Sequence, residues 1–130
     1  MTPRLDAISL VARDLPATLA FYRRLGLEIP ADADSTAHVE IVLSGGLRLL
    51  IDPASTVAGF DPSFDPDADL GGSSLAFACA DPAEVDRVHA DLIAAGHHSH
   101  LEPFDAVWGQ RYATVLDPDG NGVDLFAPLS

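Results

Sequence analysis

Few side chains in this 130-residue chain are equipped for chemistry, and they are scattered: five histidines, one cysteine, and twenty acids against seven Lys and Arg. His38 and Glu40 are two residues apart. On a strand that spacing puts both on one face, about 6.5–7 Å apart, close enough to serve one substrate as acid and base. Asp124 stands alone among apolar neighbours in GVDLF. A carboxylate there can ligate a metal, balance a cation or face water. His97, His98 and His100 form a short histidine-rich run that could take a metal. The plainer reading is a solvated loop after a helix, where a partly positive imidazole suits the C-terminal dipole. His89 reads as the surface flank of a helix. Cys79 shares a strand face with Leu75 and Phe77, which makes it core rather than nucleophile. No GxSxG, P-loop or CxxC spacing occurs.

These residues are carried by a pattern that occurs twice. RLDAISLVA (4–12) alternates like a strand. Asp14 opens a helix with Pro16 in its first turn, Leu15, Leu19, Tyr22 and Leu25 give it an apolar face, and Gly26 ends it. LEIPA (27–31) is a short strand candidate, and HVEIVL (38–43), SGG (44–46) and LRLLID (47–52) make a hairpin. In the second copy SSLAFACA (73–80) is the strand. Asp81 and Glu84 start the helix, whose apolar face is Val85, Val88, Leu92 and Ala95 before Gly96. HSHLE (98–102), QRYATVL (110–116), the turn DPDGNG (117–122) and VDLFA (123–127) complete it. Asp14 and Asp81 lie 67 residues apart, Gly26 and Gly96 lie 70 apart, and Pro53 and Pro128 lie 75 apart. The expectation is one α+β domain of two βαβββ modules, residues 1–53 and 73–130, with an irregular Pro-, Gly- and Asp-rich linker between them. Phe60 and Phe64 in the linker either dock on the body or cover a cavity mouth.

Strand parity then sorts the faces. Val39, Ile41, Leu43, Leu47, Leu49 and Ile51 go to the helix side. His38, Glu40, Arg48, Leu50 and Asp52 are left for the other face, as are Gln110, Tyr112, Thr114, Asp124 and Phe126 in the second module. That second face is aromatic with a few polar anchors, the usual makeup of a small-molecule pocket. Trp108, next to Gly109, offers a flat indole for stacking.

A net charge of −13 repels phosphate backbones and anionic lipid, which argues against nucleic-acid and membrane partners. A single cysteine excludes an internal disulfide and fits a reducing cytoplasm. No run of 18 apolar residues and no signal-peptide pattern is present.

The two βαβββ modules, the segment VARDLPATLAFYRRLGL and the turn DPDGNGVDLF resemble the vicinal-oxygen-chelate superfamily of glyoxalases, extradiol dioxygenases, fosfomycin-resistance enzymes and bleomycin-resistance proteins. The resemblance implies eight strands in two cupped mixed sheets, completed by a second subunit as a homodimer. EIPADADSTAHVEIVLSGGLRLLID and EPFDAVWGQRYATVLDPDGNGVDLFAPL are similar to the mitomycin-resistance group, which sequesters a drug without transforming it. Superfamily enzymes hold a metal at four places that fall here on Ala7, Arg48, Ser74 and Asp124. A methyl group cannot ligate, a guanidinium repels a cation, and one carboxylate falls short of the three or four ligands such sites use. No metal or cofactor is therefore expected. Arg48 would stand where the metal stood, paired with Asp124 or Glu40. The favoured reading is a binding protein for a planar, quinone-like antibiotic held by His38, Glu40, Arg48, Trp108, Gln110, Tyr112, Asp124 and Phe126, with the ligand clamped between Trp108 and His38. The alternative is a lyase, isomerase or dioxygenase, either metal-dependent or using His38 and Glu40 as acid and base.

Overall fold

The structure is a computed structural model, and it describes residues 2–68, 70 and 72–130. The chain divides into two compact units, residues 1–68 and 69–130. Each is an α+β unit with its own mixed sheet.

In the first unit β1 (Ala7–Ala12), β2 (Val39–Val42) and β3 (Arg48–Pro53) form a sheet in the order β1-β3-β2, with β1 parallel and β2 antiparallel to β3. The helix α1 (Leu15–Arg24) starts where expected: Asp14 accepts the Ala17 N–H at 3.2 Å, satisfying one of the orphan donors of the first turn. It stops at Gly26, whose φ of 95° is open to glycine and strained for other residues. Leu15, Leu19, Phe21 and Tyr22 are buried, together with Leu10, Ala12, Val39, Ile41, Leu49 and Ile51 from alternate strand positions. Each large side chain so buried contributes about 1.5–3 kcal/mol over its exposed state.

Two expectations fail in this unit. LEIPA forms no strand: residues 27–30 are irregular and a 3-10 turn occupies Ala31–Ser35. The reason is local. Arg23 donates to the carbonyls of Ile29 (3.1 Å) and Pro30 (2.6 Å), the groups a ladder would use, and pairs with Asp34 at 2.8 Å. Pro30 also has no N–H to offer. The linker, in turn, is not wholly irregular, since Ala54–Phe60 form a short helix, α2, directly after β3. Phe60 neither docks nor is covered within its unit, being 69% exposed.

The second unit contains β4 (Ser74–Ala78), α3 (Pro82–Ala94), β5 (His98–Asp105), β6 (Gln110–Leu116) and β7 (Gly122–Pro128), with sheet order β4-β7-β6-β5. Here the fourth strand does form. Asp81 caps α3 by accepting the Glu84 N–H at 2.9 Å, and Glu84 returns a contact to the Ala80 N–H at 3.1 Å. Val85 and Leu92 of α3, which lies against β5, β6 and β7, are buried, as are Ala113, Val115, Val123, Leu125 and Ala127. The DPDGN turn closes on itself. Asp117 Oδ1 accepts the N–H groups of Asp119 and Asn121 at 2.8 and 2.9 Å, and Oδ2 accepts the Asn121 amide at 3.0 Å. This explains why Asp117, Asp119 and Asn121 are buried although polar.

The histidines need correction too. His89 is not on the surface: it is 5% exposed, and its Nε2 meets Ser99 Oγ at 2.8 Å. His98 and His100 lie on β5 rather than in a loop. Among the described residues no helix is long and apolar enough to cross a membrane.

Candidate functional site

The unburied face of the first sheet is built of charges. Strand alternation turns Glu40 of β2 and Arg48, Leu50 and Asp52 of β3 away from the core. His38 precedes β2 and reaches Asp52. Asp6 precedes β1 and faces Arg48, because β1 and β3 run parallel with Ala7 opposite Arg48. Arg48 donates to Asp6 Oδ2 through Nε (3.2 Å) and Nη2 (2.6 Å), and to Glu40 Oε1 through Nη1 at 2.5 Å. Glu40 Oε2 lies 2.8 Å from His38 Nε2, and His38 Nδ1 meets Asp52 Oδ1. The result is a continuous row: Asp6, Arg48, Glu40, His38, Asp52.

This row sets the protonation states. An imidazole with a carboxylate on each nitrogen can donate to both only as the cation. The bonds to Asp52 and then Glu40 accordingly raise the His38 pKa above its ordinary 6.5. Glu40 is held below the usual carboxylate range by His38 and then Arg48, and Asp6 is held down by Arg48. Three carboxylates face two cations, which leaves the row with one net negative charge.

The corresponding face of the second sheet differs in kind. Ser74, Ala76 and Ala78 of β4 are small and exposed. Beside them β7 presents Asp124 and Phe126, and β6 presents Tyr112 and Thr114, with Tyr112 opposite Phe126 and Thr114 opposite Asp124. Asp124 accepts Thr114 Oγ1–H at 2.7 Å and Ser74 Oγ–H at 3.2 Å. Burial, and then a hydrogen bond to Asp124, push the Tyr112 phenol up to about 12. Trp108, in the β5–β6 turn, meets Tyr112 edge-on with ring centroids 5.3 Å apart, and Phe104 likewise at 6.3 Å. Its indole N–H donates to Gln110 Oε1 at 2.8 Å. Despite these contacts Trp108 is 58% exposed, so much of the indole stays open to solvent.

The expected site residues thus separate into two groups. His38, Glu40 and Arg48 share the first face; Trp108, Gln110, Tyr112, Asp124 and Phe126 share the second. Of the two partners proposed for Arg48, the structure gives it Glu40, while Asp124 is engaged by Ser74, Thr114 and Tyr112. The equivalence of Arg48 and Asp124 fails as well. Ala7 stands opposite Arg48, but Ser74 stands opposite Gly122, and Asp124 lies one row on, opposite Ala76. Aligned on the first strands of the modules, the counterpart of Asp124 is Leu50. Asp6 escaped the sequence reading, since only the β1–β3 register brings it to Arg48. Phe104 was hidden by the irregular register of β5.

The ligand places of a chelated metal would then hold Ala7, Leu50 or Arg48, Ser74 and Asp124. A hydroxyl, a carboxylate and alkyl groups are a poor donor set for a divalent ion, and both Asp124 oxygens already accept hydroxyl protons. Among the described residues no group of three or more His, Cys, Asp or Glu is placed to hold a metal. The residues present do not fit the group. Cys79 is half-buried, and burial pushes its thiol up, away from the reactive thiolate.

The profile of the Glyoxalase/Bleomycin resistance protein/Dioxygenase superfamily matches residues 4–125, and the chain belongs to that superfamily. Among solved structures it is similar to a glyoxalase/bleomycin resistance protein/dioxygenase family enzyme from Burkholderia phytofirmans PsJN (TM-score 0.80, 20% identity, covering 98% of this chain and 100% of that one). It is also similar to a glyoxalase/bleomycin resistance protein/dioxygenase from Nocardioides (TM-score 0.70, 22% identity, 100% and 86% covered). A lactoylglutathione lyase from Agrobacterium tumefaciens aligns with TM-score 0.68 at 25% identity, covering 98% and 95%. No curated protein matches the chain.

Proposed function

We propose that this chain binds a planar, π-rich small molecule such as a quinone-type antibiotic and sequesters it unchanged, in the manner of the mitomycin-resistance group, as a homodimer in the cytoplasm. The observation that carries the reading is the second face: an exposed indole, two further rings packed edge-on against it and each other, and a carboxylate dressed by three hydroxyls, all on one side of one sheet. The rings offer stacking area worth about 0.5–1.5 kcal/mol per contact beyond burial. Asp124, Thr114 and Ser74 offer hydrogen bonds at the ligand edge, and the small Ala76 and Ala78 leave room over the sheet.

The acid–base alternative is disfavoured by the first face. A general base needs a free lone pair near the operating pH. Both nitrogens of His38 are engaged, and Glu40 is held down by two cations, a poor setting for taking a proton. The donor set likewise disfavours the metal-dependent alternative. The test is calorimetric titration of the whole protein with mitomycin-type and anthraquinone ligands, followed by chromatography of the recovered ligand. Saturable binding with unchanged ligand supports sequestration; a converted ligand assigns an enzyme.

A further inference from the structure

The outer edge of β2 is open. In the β2–β3 ladder Val39 stands opposite Ile51 and Ile41 opposite Leu49, and the Leu43 N–H donates to the Leu47 carbonyl at 2.8 Å. The alternation of antiparallel pairs then turns the N–H and C=O of Glu40 and Val42 away from β3. Among the described residues nothing pairs with them on that side. The second unit covers the matching edge, because β5 pairs with β6 along its length. In the first unit the segment that would do so is withheld: Arg23 holds the Ile29 and Pro30 carbonyls, and Asp34 holds Arg23. A cavity of about 540 Å³ lies in the gap, with Leu27, Glu28 and Pro30 on one side and Glu40, Val42 and Ser44 on the other.

We propose that this edge docks an extended peptide segment of a partner protein, one carrying a Lys or Arg between apolar residues. Three features select that occupant. Outward backbone groups on alternate residues are satisfied by an added strand and by no compact ligand. The four residues of β2 span about 13–14 Å, enough for a segment of about four or five residues. The lining is apolar at Leu27, Ile41, Val42 and Leu43, with the exposed acid Glu28 on its rim, and Val42 is 73% exposed. A second copy of this chain pairing here about a two-fold axis would set Glu28 against its own acidic counterpart, whereas a basic segment meets charge complementarity.

The probe is a blocked pentapeptide of alternating lysine and valine, added to the whole protein and followed by amide hydrogen exchange. Exchange at Glu40 and Val42 slows on binding, and replacing the peptide's lysines by glutamates weakens affinity by about tenfold or more. Glu28→Lys weakens the lysine peptide. Val42→Pro deletes one outward donor at an edge position where proline is tolerated and removes binding. N-methylation of the peptide at its pairing residues has the same effect without altering the protein. Unchanged exchange at Glu40 and Val42 with millimolar peptide overturns the proposal, as does equal affinity for lysine and glutamate peptides. Protection that appears with rising protein concentration and no peptide gives the edge to a second copy and overturns it as well.

Discussion

The same order of strand, helix and hairpin has produced two unlike sheet faces in this chain. On the first, every functional group is spent on a neighbour: five charged side chains pair in sequence from Asp6 to Asp52. On the second, one carboxylate is held by hydroxyls while the aromatic surface beside it stays open. Rows of alternating charge give orientation and rigidity but leave few free donors. Open rings and a dressed carboxylate leave binding capacity. The comparison teaches that a shared scaffold fixes which positions face outward and leaves their chemistry free. The proposed binding role accordingly rests on the second face alone.

The shared part of the comparison breaks with the largest effect. Leu19 and Leu92 are both fully buried on the helices of their units. Leu19→Ala and Leu92→Ala should each destabilise by about 2–5 kcal/mol in urea unfolding, since a buried leucine is lost and a cavity remains. If only one did so, the two cores would not be equivalent. Next comes the divergent part. Trp108→Ala should weaken binding of a planar quinone by more than about 1 kcal/mol while changing stability by about 0.5 kcal/mol or less, as suits an exposed side chain. Arg48→Ala, on the other face, should leave quinone affinity unaltered in the same titration. Smaller again is Asp124→Asn. Its Tyr112 phenol, now at about 12, should fall part of the way towards 10 in an ultraviolet titration, because burial is the larger cause and persists.

The smallest effect is the pH response of the first face. His38 binds its proton more tightly folded than unfolded, so its contribution is full below 6.5 and is lost as pH rises through the raised folded value. Asp6 and Glu40 work in the opposite sense: their contributions are present above their ordinary 3.8 and 4.5 and are lost as pH falls through the lowered folded values. Stability should decline modestly on the alkaline side of 6.5, and His38→Gln should abolish that slope in melts recorded from pH 6.5 upwards. An unchanged slope would detach His38 from the row.

Most of the scaffold was legible from sequence because it rests on local rules. Asp14 and Asp81 as caps, Gly26 as a stop, and the alternation of Val39, Ile41, Leu49 and Ile51 are each decided within a few residues. The failures are those decided by side-chain partners outside the element itself. LEIPA has strand-like composition, yet Arg23 and Asp34 take its carbonyl and side-chain contacts elsewhere. His89 reads as a polar flank until Ser99 arrives from β5 to satisfy it. Asp124 reads in the sequence as the odd carboxylate, but its hydroxyl partners come from two other strands, and a one-row difference in register makes its counterpart Leu50 rather than Arg48.

Trp108 is the only tryptophan in the chain, so its fluorescence reports the second face alone. The most direct test is to titrate the whole protein with a mitomycin-type quinone, follow that emission to saturation, and then extract and analyse the ligand. Sequestration on the aromatic face predicts saturable quenching, matched to the calorimetric affinity, and recovery of the ligand chemically unchanged. Tight binding that leaves the Trp108 emission unaltered, or recovery of a transformed ligand, would contradict it.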